Sequence, residues 1–141
     1  MKLQYLVATE ADIPVIFDQA KALIDAYEDL ASIDYEKVLT WVKQKITSQI
    51  REYTAVSQNG EICAYYHLCQ DGELDDVYVL PGFRGQGIGS QILQKCIAES
   101  RQPLYLYVFS RNLRAIELYK RFGFGVSERV GNTRYIMSRN G

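Results

Sequence analysis

Residues Leu80 to Ser90 read Leu-Pro-Gly-Phe-Arg-Gly-Gln-Gly-Ile-Gly-Ser and carry the chain from an apolar, strand-like stretch directly into a helix pattern. The first amides of a helix have no intrahelical partner, and the helix dipole places partial positive charge there. Glycines remove the side chains that would block an anion from that backbone. Gly85, Gly87 and Gly89 alternate through this turn, so strand, glycine turn and helix together form an α/β unit suited to holding phosphate. Two familiar phosphate loops fail on residues. A triphosphate loop needs a Gly-Lys pair, and the chain has none. A Gly-x-Gly-x-x-Gly fingerprint would place its third glycine at Ser90 or at Ile92. The spacing that does fit is Arg84-x-x-Gly87-x-Gly89.

The 141 residues, 48% hydrophobic and 23% charged, supply enough apolar material for one core and too little for two, so a single domain over residues 1–141 is expected. Sixteen Lys and Arg against seventeen Asp and Glu leave a net charge near −1. No global field then draws the chain to nucleic acid or to an anionic membrane, and neither is expected as a partner. The start lacks the long apolar run of a signal peptide, and no stretch approaches the roughly 18 apolar residues of a membrane span, which points to the cytoplasm. Cys63, Cys69 and Cys96 form no Cys-x-x-Cys pair, so they read as buried free thiols, with neither a disulfide framework nor a metal expected. Nothing in the sequence indicates an oligomeric state.

Along the chain, Gln4 to Ala8 reads as a strand. A helix start near Thr9 and Asp12 leads to about Tyr27, and a second helix runs from about Tyr35 to Arg51 with a mostly apolar stripe of Val38, Trp41, Val42, Lys45 and Ile46. Tyr53 to Ser57 and Ile62 to Leu68 flank Asn59-Gly60, a strong hairpin-turn pair. Glu73 to Leu80 is the fourth strand, and Gly85 to about Ser100 is a helix stopped ahead of Pro103. Leu104 to Phe109 has the apolar continuity of a buried strand. Asn112 to Phe122 forms a last helix capped by Gly123, and two strands close the chain around Gly131-Asn132. The sum is an α/β (α+β) unit with a mixed, mostly antiparallel central sheet of about seven strands and about four helices.

Within the fourth strand, Leu74 lies on one parity and Val77 and Val79 on the other, with Asp75 and Asp76 between. One extra residue, a β-bulge, would reset the phase, whereas burial on both faces would also allow the pattern.

A second block, Asn112-Leu-Arg-Ala115-Ile-Glu-Leu118-Tyr119-Lys-Arg-Phe-Gly123-Phe124, follows the glycine turn. Together the two blocks resemble the GNAT family of acetyl-CoA-dependent N-acetyltransferases, specifically from about Glu73 to Phe124. The resemblance implies the family's fold and transfer of an acetyl group from acetyl-CoA to an amine. It places the diphosphate against Arg84, Gly85, Gln86, Gly87, Ile88, Gly89 and Ser90, and the pantetheine arm along the main chain of Val77, Tyr78 and Val79. Asn112 and Tyr119 border the same groove in this reading, being seven residues or two helical turns apart. Asn112 also suits a helix N-cap, and Arg84 also suits a solvated surface arginine.

Such a transfer needs proton management. A lysine-like amine with a pKa of about 10.4 costs about 4–5 kcal/mol to neutralise at pH 7, so a base is useful. By resemblance Glu73 occupies the position of a catalytic glutamate, with Asp75 and Asp76 as neighbours, while the same acids suit a solvated turn. Tyr119, protonated at neutral pH, suits donation to the departing thiolate. His67 is the sole histidine, and its apolar strand context reads as a packed or edge position. The resemblance implies that the acceptor, a small-molecule amine or a basic peptide, is met between Tyr27 and Asp34 and between Val126 and Tyr135. Glu28, Asp29 and Asp34 suit either a cation or ordinary loop charge. Two rivals remain: a noncatalytic acyl-CoA-binding regulatory module, and an acetyltransferase acting on protein N-termini or lysines.

Overall fold

A computed structural model describes residues 2–139. Its elements are β1 (Gln4–Val7), α1 (Ile13–Tyr27), α2 (Tyr35–Gln49), β2 (Thr54–Gln58), β3 (Glu61–Leu68), β4 (Leu74–Val79), α3 (Ile88–Glu99), β5 (Leu104–Phe109), α4 (Leu113–Arg121), β6 (Gly125–Val130) and β7 (Arg134–Arg139). Short 3-10 turns precede α1 and follow α2, and a third lies between these helices. Local chemistry accounts for the punctuation. Asp12 accepts the Thr9 amide at 2.8 Å ahead of α1, and Asp34 caps α2 by accepting the Lys37 amide at 3.2 Å. Asn59 and Gly60 both take positive φ, 52° and 82°, which matches the twist of a tight β2–β3 hairpin.

The strands form two antiparallel sheets, ordered β1-β2-β3-β4 and β5-β7-β6. The expected mixed sheet therefore exists only where the two meet, at one parallel bridge between Glu73 and Tyr105, reinforced by the Tyr105 amide donating to Gly72 O at 3.0 Å. Glu73 thus lies just before β4, not inside it. Beyond the bridge no ladder joins β4 to β5 among the described residues, so each presents an open edge.

Side-chain alternation divides the apolar residues between two clusters. Ala55, Tyr65 and Tyr78 join Ile16, Ala20 and Ile46 of α1 and α2, while Val56, Ala64, Tyr66 and Leu74 join Ile88, Ile92 and Leu93 of α3 and Ile116 of α4. The register of β4 against β3 shifts once: His67 pairs with Asp76 and Leu68 with Leu74, leaving Asp75 as the extra residue. This is the anticipated bulge. It returns Val77 and Val79 to the cluster that holds Leu74 and turns Asp75 towards Lys45 of α2 and Asp76 towards Tyr53, just ahead of β2.

Two boundaries differ from the sequence reading. The third helix begins at Ile88 instead of Gly85, because Gly82, Gly85 and Gly87 hold φ values of 93°, 81° and 82°, outside helical space. β5 is buried on one face only: Leu104, Leu106 and Val108 point inward, whereas Tyr107 is 44% exposed. Its second face carries aromatics because it looks into a cleft.

Candidate active site

Where β4 and β5 separate, a cleft of about 830 Å³ opens between the sheets. It is floored by Glu73 to Val79 and walled by the turn before α3, by the start and middle of α4, by the outer face of β5 and by parts of α1 and α2. Of the residues singled out in the sequence, Glu73, Val77, Tyr78, Val79, Arg84, Gly85, Gly87, Ile88, Gly89, Ser90, Asn112 and Tyr119 all line it, and Gln86 does not.

Two sets of backbone groups face this space. The amides of Ile88, Gly89 and Ser90 are the first of α3 and precede the first intrahelical bond, Gln91 to Gly87 at 3.1 Å. At the other end of the turn, Leu80 donates to Cys63 O at 2.9 Å. Counting back from that bond, the alternation of an antiparallel ladder pairs Tyr78 and Asp76 with β3 and turns the N–H and C=O of Val77 and Val79 to the open edge. The Val79 carbonyl is already taken: Arg84 Nε donates to it at 3.0 Å, and Arg84 Nη2 reaches Gln19 Oε1 at 3.5 Å. Arg84 is therefore exposed but tied across the strand end. Gly89 sits against Leu118 and Val79, where an added Cβ would lie 3.5 and 3.7 Å from their methyls.

Asn112 caps α4, its Oδ1 accepting the Ala115 amide at 3.3 Å. Tyr119, two turns on, packs its ring on Phe124 at 5.8 Å and is half-buried at the cleft wall. Burial, with the Asp76 charge nearby, pushes its hydroxyl up to about 12, so it holds its proton at neutral pH.

The floor holds a charged network that the sequence did not announce. Asp75 accepts from Lys45 Nζ at 2.6 Å and lies 3.2 Å from His67 Nδ1. Burial would raise the Asp75 carboxyl, but His67 and Lys45 outweigh it and hold it low. Asp76 accepts from Tyr53 at 2.6 Å and from Tyr78 at 2.7 Å, and its burial, with Asp75 alongside, raises it. Glu73 is raised first by burial and then by the Asp75 charge. His67, 1% exposed, stacks on Tyr53 at 4.7 Å; burial would lower its pKa, yet Asp75 and Glu52 raise it. The sequence reading of His67 as packed holds, but it is packed by hydrogen bonds. Cys69, expected to be buried like Cys63 and Cys96, is only partly so. The signal available in advance was the bulge: one inserted residue places two consecutive acids on one face.

At the outer end of the cleft, the acids between α1 and α2 are engaged. Glu28 lies 3.5 Å from Arg134, Asp29 accepts from Ser32 at 2.6 Å, and Asp34 caps α2. Arg134 also lies 5.6 Å over the Phe109 ring, and Trp41, 62% exposed, stands at the rim over Lys45. Glu28 thus pairs across to β7 while Asp29 and Asp34 bond within their own loop and helix start, and Glu73, Asp75 and Asp76 are the acids that line the cleft.

An open strand edge, an unblocked helix start and a protonated tyrosine thus line one cleft. The chain belongs to the acetyltransferase (GNAT) family, whose model matches residues 20–124. It is 44% identical over 54 residues to a thialysine N-epsilon-acetyltransferase of Bos taurus, covering 36% of this chain and 32% of that protein. It is 30% identical over 78 residues to a spermine/spermidine N(1)-acetyltransferase of Bacillus subtilis, covering 52% and 45%. The chain thus matches less than half the length of these relatives. In fold it resembles a PaiA N-acetyltransferase of Thermoplasma acidophilum solved with coenzyme A, at a TM-score of 0.73 and 16% identity over the whole of both chains. No helix among the described residues is long and apolar enough to cross a membrane.

Proposed function

We propose that the chain is an N-acetyltransferase that moves the acetyl group of acetyl-CoA directly to an amine. The observation that carries this reading is the convergence, in one cleft, of the free amides of Ile88, Gly89 and Ser90, the open edge of Val77 and Val79, and Tyr119. The diphosphate lies on the α3 amides with Arg84 beside it, and the pantetheine amides pair with the Val77 and Val79 main chain as a short added strand. That arrangement brings the thioester to the point where β4 and β5 part, near Tyr119 and the acids of the floor.

The amine attacks the thioester carbonyl; a C–N bond forms and the C–S bond breaks. Of the three cleft acids, Asp75 is committed to Lys45 and His67, and both oxygens of Asp76 accept tyrosine hydroxyls. Glu73 is the acid left to take the amine proton, and Tyr119 donates to the departing thiolate. The acceptor is a small amine or the end of a basic peptide; a small amine is favoured because the curated relatives named above act on thialysine and polyamines.

The test is acceptor-dependent release of free thiol from acetyl-CoA. Thialysine, spermidine, spermine, an aminosugar and peptides with free N-termini or lysines form the acceptor panel. Turnover with one class supports the reading and names the acceptor. Tight acetyl-CoA binding without turnover of any of them would support a noncatalytic acyl-CoA-binding module instead.

A further inference from the structure

The cleft runs on past the groups assigned to the cofactor, along the outer face of β5, where alternation places Tyr105, Tyr107 and Phe109 in one row. Tyr105 is bridged to Glu73 at one end of the row, and Phe109 pairs with Arg134 of β7 at the other, which sets Phe109 and Arg134 on the same face. The strand between the two ends covers about 13 Å, at about 3.3 Å per residue. Midway, Tyr107 is 44% exposed and lines the cleft, and the Tyr27 ring closes the far end 6.2 Å from that of Phe109.

The two ends of this row carry opposite charge. The acids that line the cleft, Glu73, Asp75 and Asp76, lie at the β4 end. Of the lining cations, Lys45 is bonded to Asp75, Arg84 is tied to the Val79 carbonyl, and Arg114 and Arg121 stand on α4 with Tyr119. Arg134 alone among them comes from β7. Its guanidinium rests 5.6 Å over the Phe109 ring, and Nη2 lies 3.5 Å from Glu28 Oε2, longer than the roughly 2.7–2.9 Å of a charge-assisted hydrogen bond. Glu28 does not line the cleft; its side chain is 8% exposed and accepts the Asp29 amide at 3.1 Å. It steadies one corner of the guanidinium fork and leaves the other N–H groups without a partner among the described residues.

Resting on the acetyl transfer proposed above, we infer that the acceptor is an ω-amino carboxylate, with its amine at Glu73, its methylene chain along Tyr107 and its carboxylate on Arg134. Arg134 is then the residue that selects the acceptor. A planar guanidinium fork matches a carboxylate and meets a second ammonium as a like charge, so a polyamine is rejected at the same place. An amine on the carbon next to the carboxylate is rejected by distance, because it cannot reach Glu73 while the carboxylate stays on Arg134.

Three amines of equal carbon count separate these claims: ε-aminocaproate; norleucine, whose amine adjoins its carboxylate; and hexamethylenediamine, with a second amine in place of the carboxylate. Each is titrated calorimetrically into the full chain saturated with coenzyme A, and each is assayed for thiol release from acetyl-CoA. ε-Aminocaproate should bind about 10- to 100-fold more tightly than the other two, the factor that one charge-assisted pair supplies, with the same order in KM. Arg134→Gln, at a side chain 47% exposed, should abolish that preference, and Arg134→Glu should turn it towards hexamethylenediamine. The binding order supports the Arg134 site even where no thiol is released, an outcome that contradicts the transfer alone. Equal or tighter binding of hexamethylenediamine by the wild-type chain, no binding of ε-aminocaproate, or a preference that survives Arg134→Gln overturns the inference.

Discussion

Replacing Gly72 with alanine tests how the cleft is held open at its narrow end. Gly72 has φ 98°, and its carbonyl accepts the Tyr105 amide where β4 and β5 meet. A Cβ built there would run into the backbone carbonyl of Pro103 and lie 3.2 Å from Gln102 Cβ. Backbone cannot swing aside as a side-chain tip can. Left-handed backbone costs an L-residue about 1–2 kcal/mol, and forcing atoms into a filled space adds about 1–3 kcal/mol. Gly60 is the matched control: its φ is 82°, but nothing lies within 4 Å of the added Cβ. Gly60→Ala therefore isolates the backbone cost, and the excess of Gly72→Ala over it isolates the clash. For a chain of this size that excess of about 1–3 kcal/mol corresponds to roughly 3–12 °C in Tm, read by calorimetry or circular dichroism. Because the clash pries β5 from β4, Gly72→Ala should also weaken acetyl-CoA binding at a temperature where it is still folded. Equal Tm losses for the two variants would refute the reasoning, since the junction would then be loose enough to absorb a methyl group.

Other substitutions probe the site piece by piece. Tyr119→Phe should lower kcat about 10- to 100-fold with little change in acetyl-CoA affinity, the thiolate being a fair leaving group already. With its hydroxyl pushed up to about 12, Tyr119 stays protonated as pH rises from 7 to 10, so any alkaline fall of kcat in that range should persist in Tyr119→Phe. Gly87→Val puts a branched side chain at φ 82° beside the α3 amides and should weaken acetyl-CoA binding at least tenfold, whereas Gln86→Ala, outside the cleft, should change it less than about twofold by calorimetric titration. Tyr53→Phe removes a hydroxyl from Asp76 and should cost about 1.5–3 kcal/mol in denaturant unfolding.

Much of this architecture was legible because local chemistry and tertiary need agree. The Asn59-Gly60 hairpin, the Asn112 cap and the strand-turn-helix around Gly87 each carry a short-range signal that survives folding. The parity break between Leu74 and Val77 raised a bulge as one of two readings, and the register shift decides for it. The sequence did not disclose where sheets part. β5 reads as one apolar run, and only the placement of Tyr107 on the open side shows that its second face looks into a cleft. Long-range partners were equally silent. Lys45 reads as part of a helical stripe, and Glu52 as a helix-end acid, until the fold brings one to Asp75 and the other to His67, 30 and 15 residues away along the chain. Their charges are satisfied by residues whose distance in sequence no periodicity encodes.

The most direct test of the central claim is thermal unfolding of the purified chain with acetyl-CoA, ATP and NAD in parallel. At about 100 times its dissociation constant a ligand adds roughly 2.7 kcal/mol. The cleft geometry predicts stabilisation by acetyl-CoA that exceeds the other two and is lost in Gly87→Val. No shift with acetyl-CoA, or an equal shift with ATP or NAD, would contradict it.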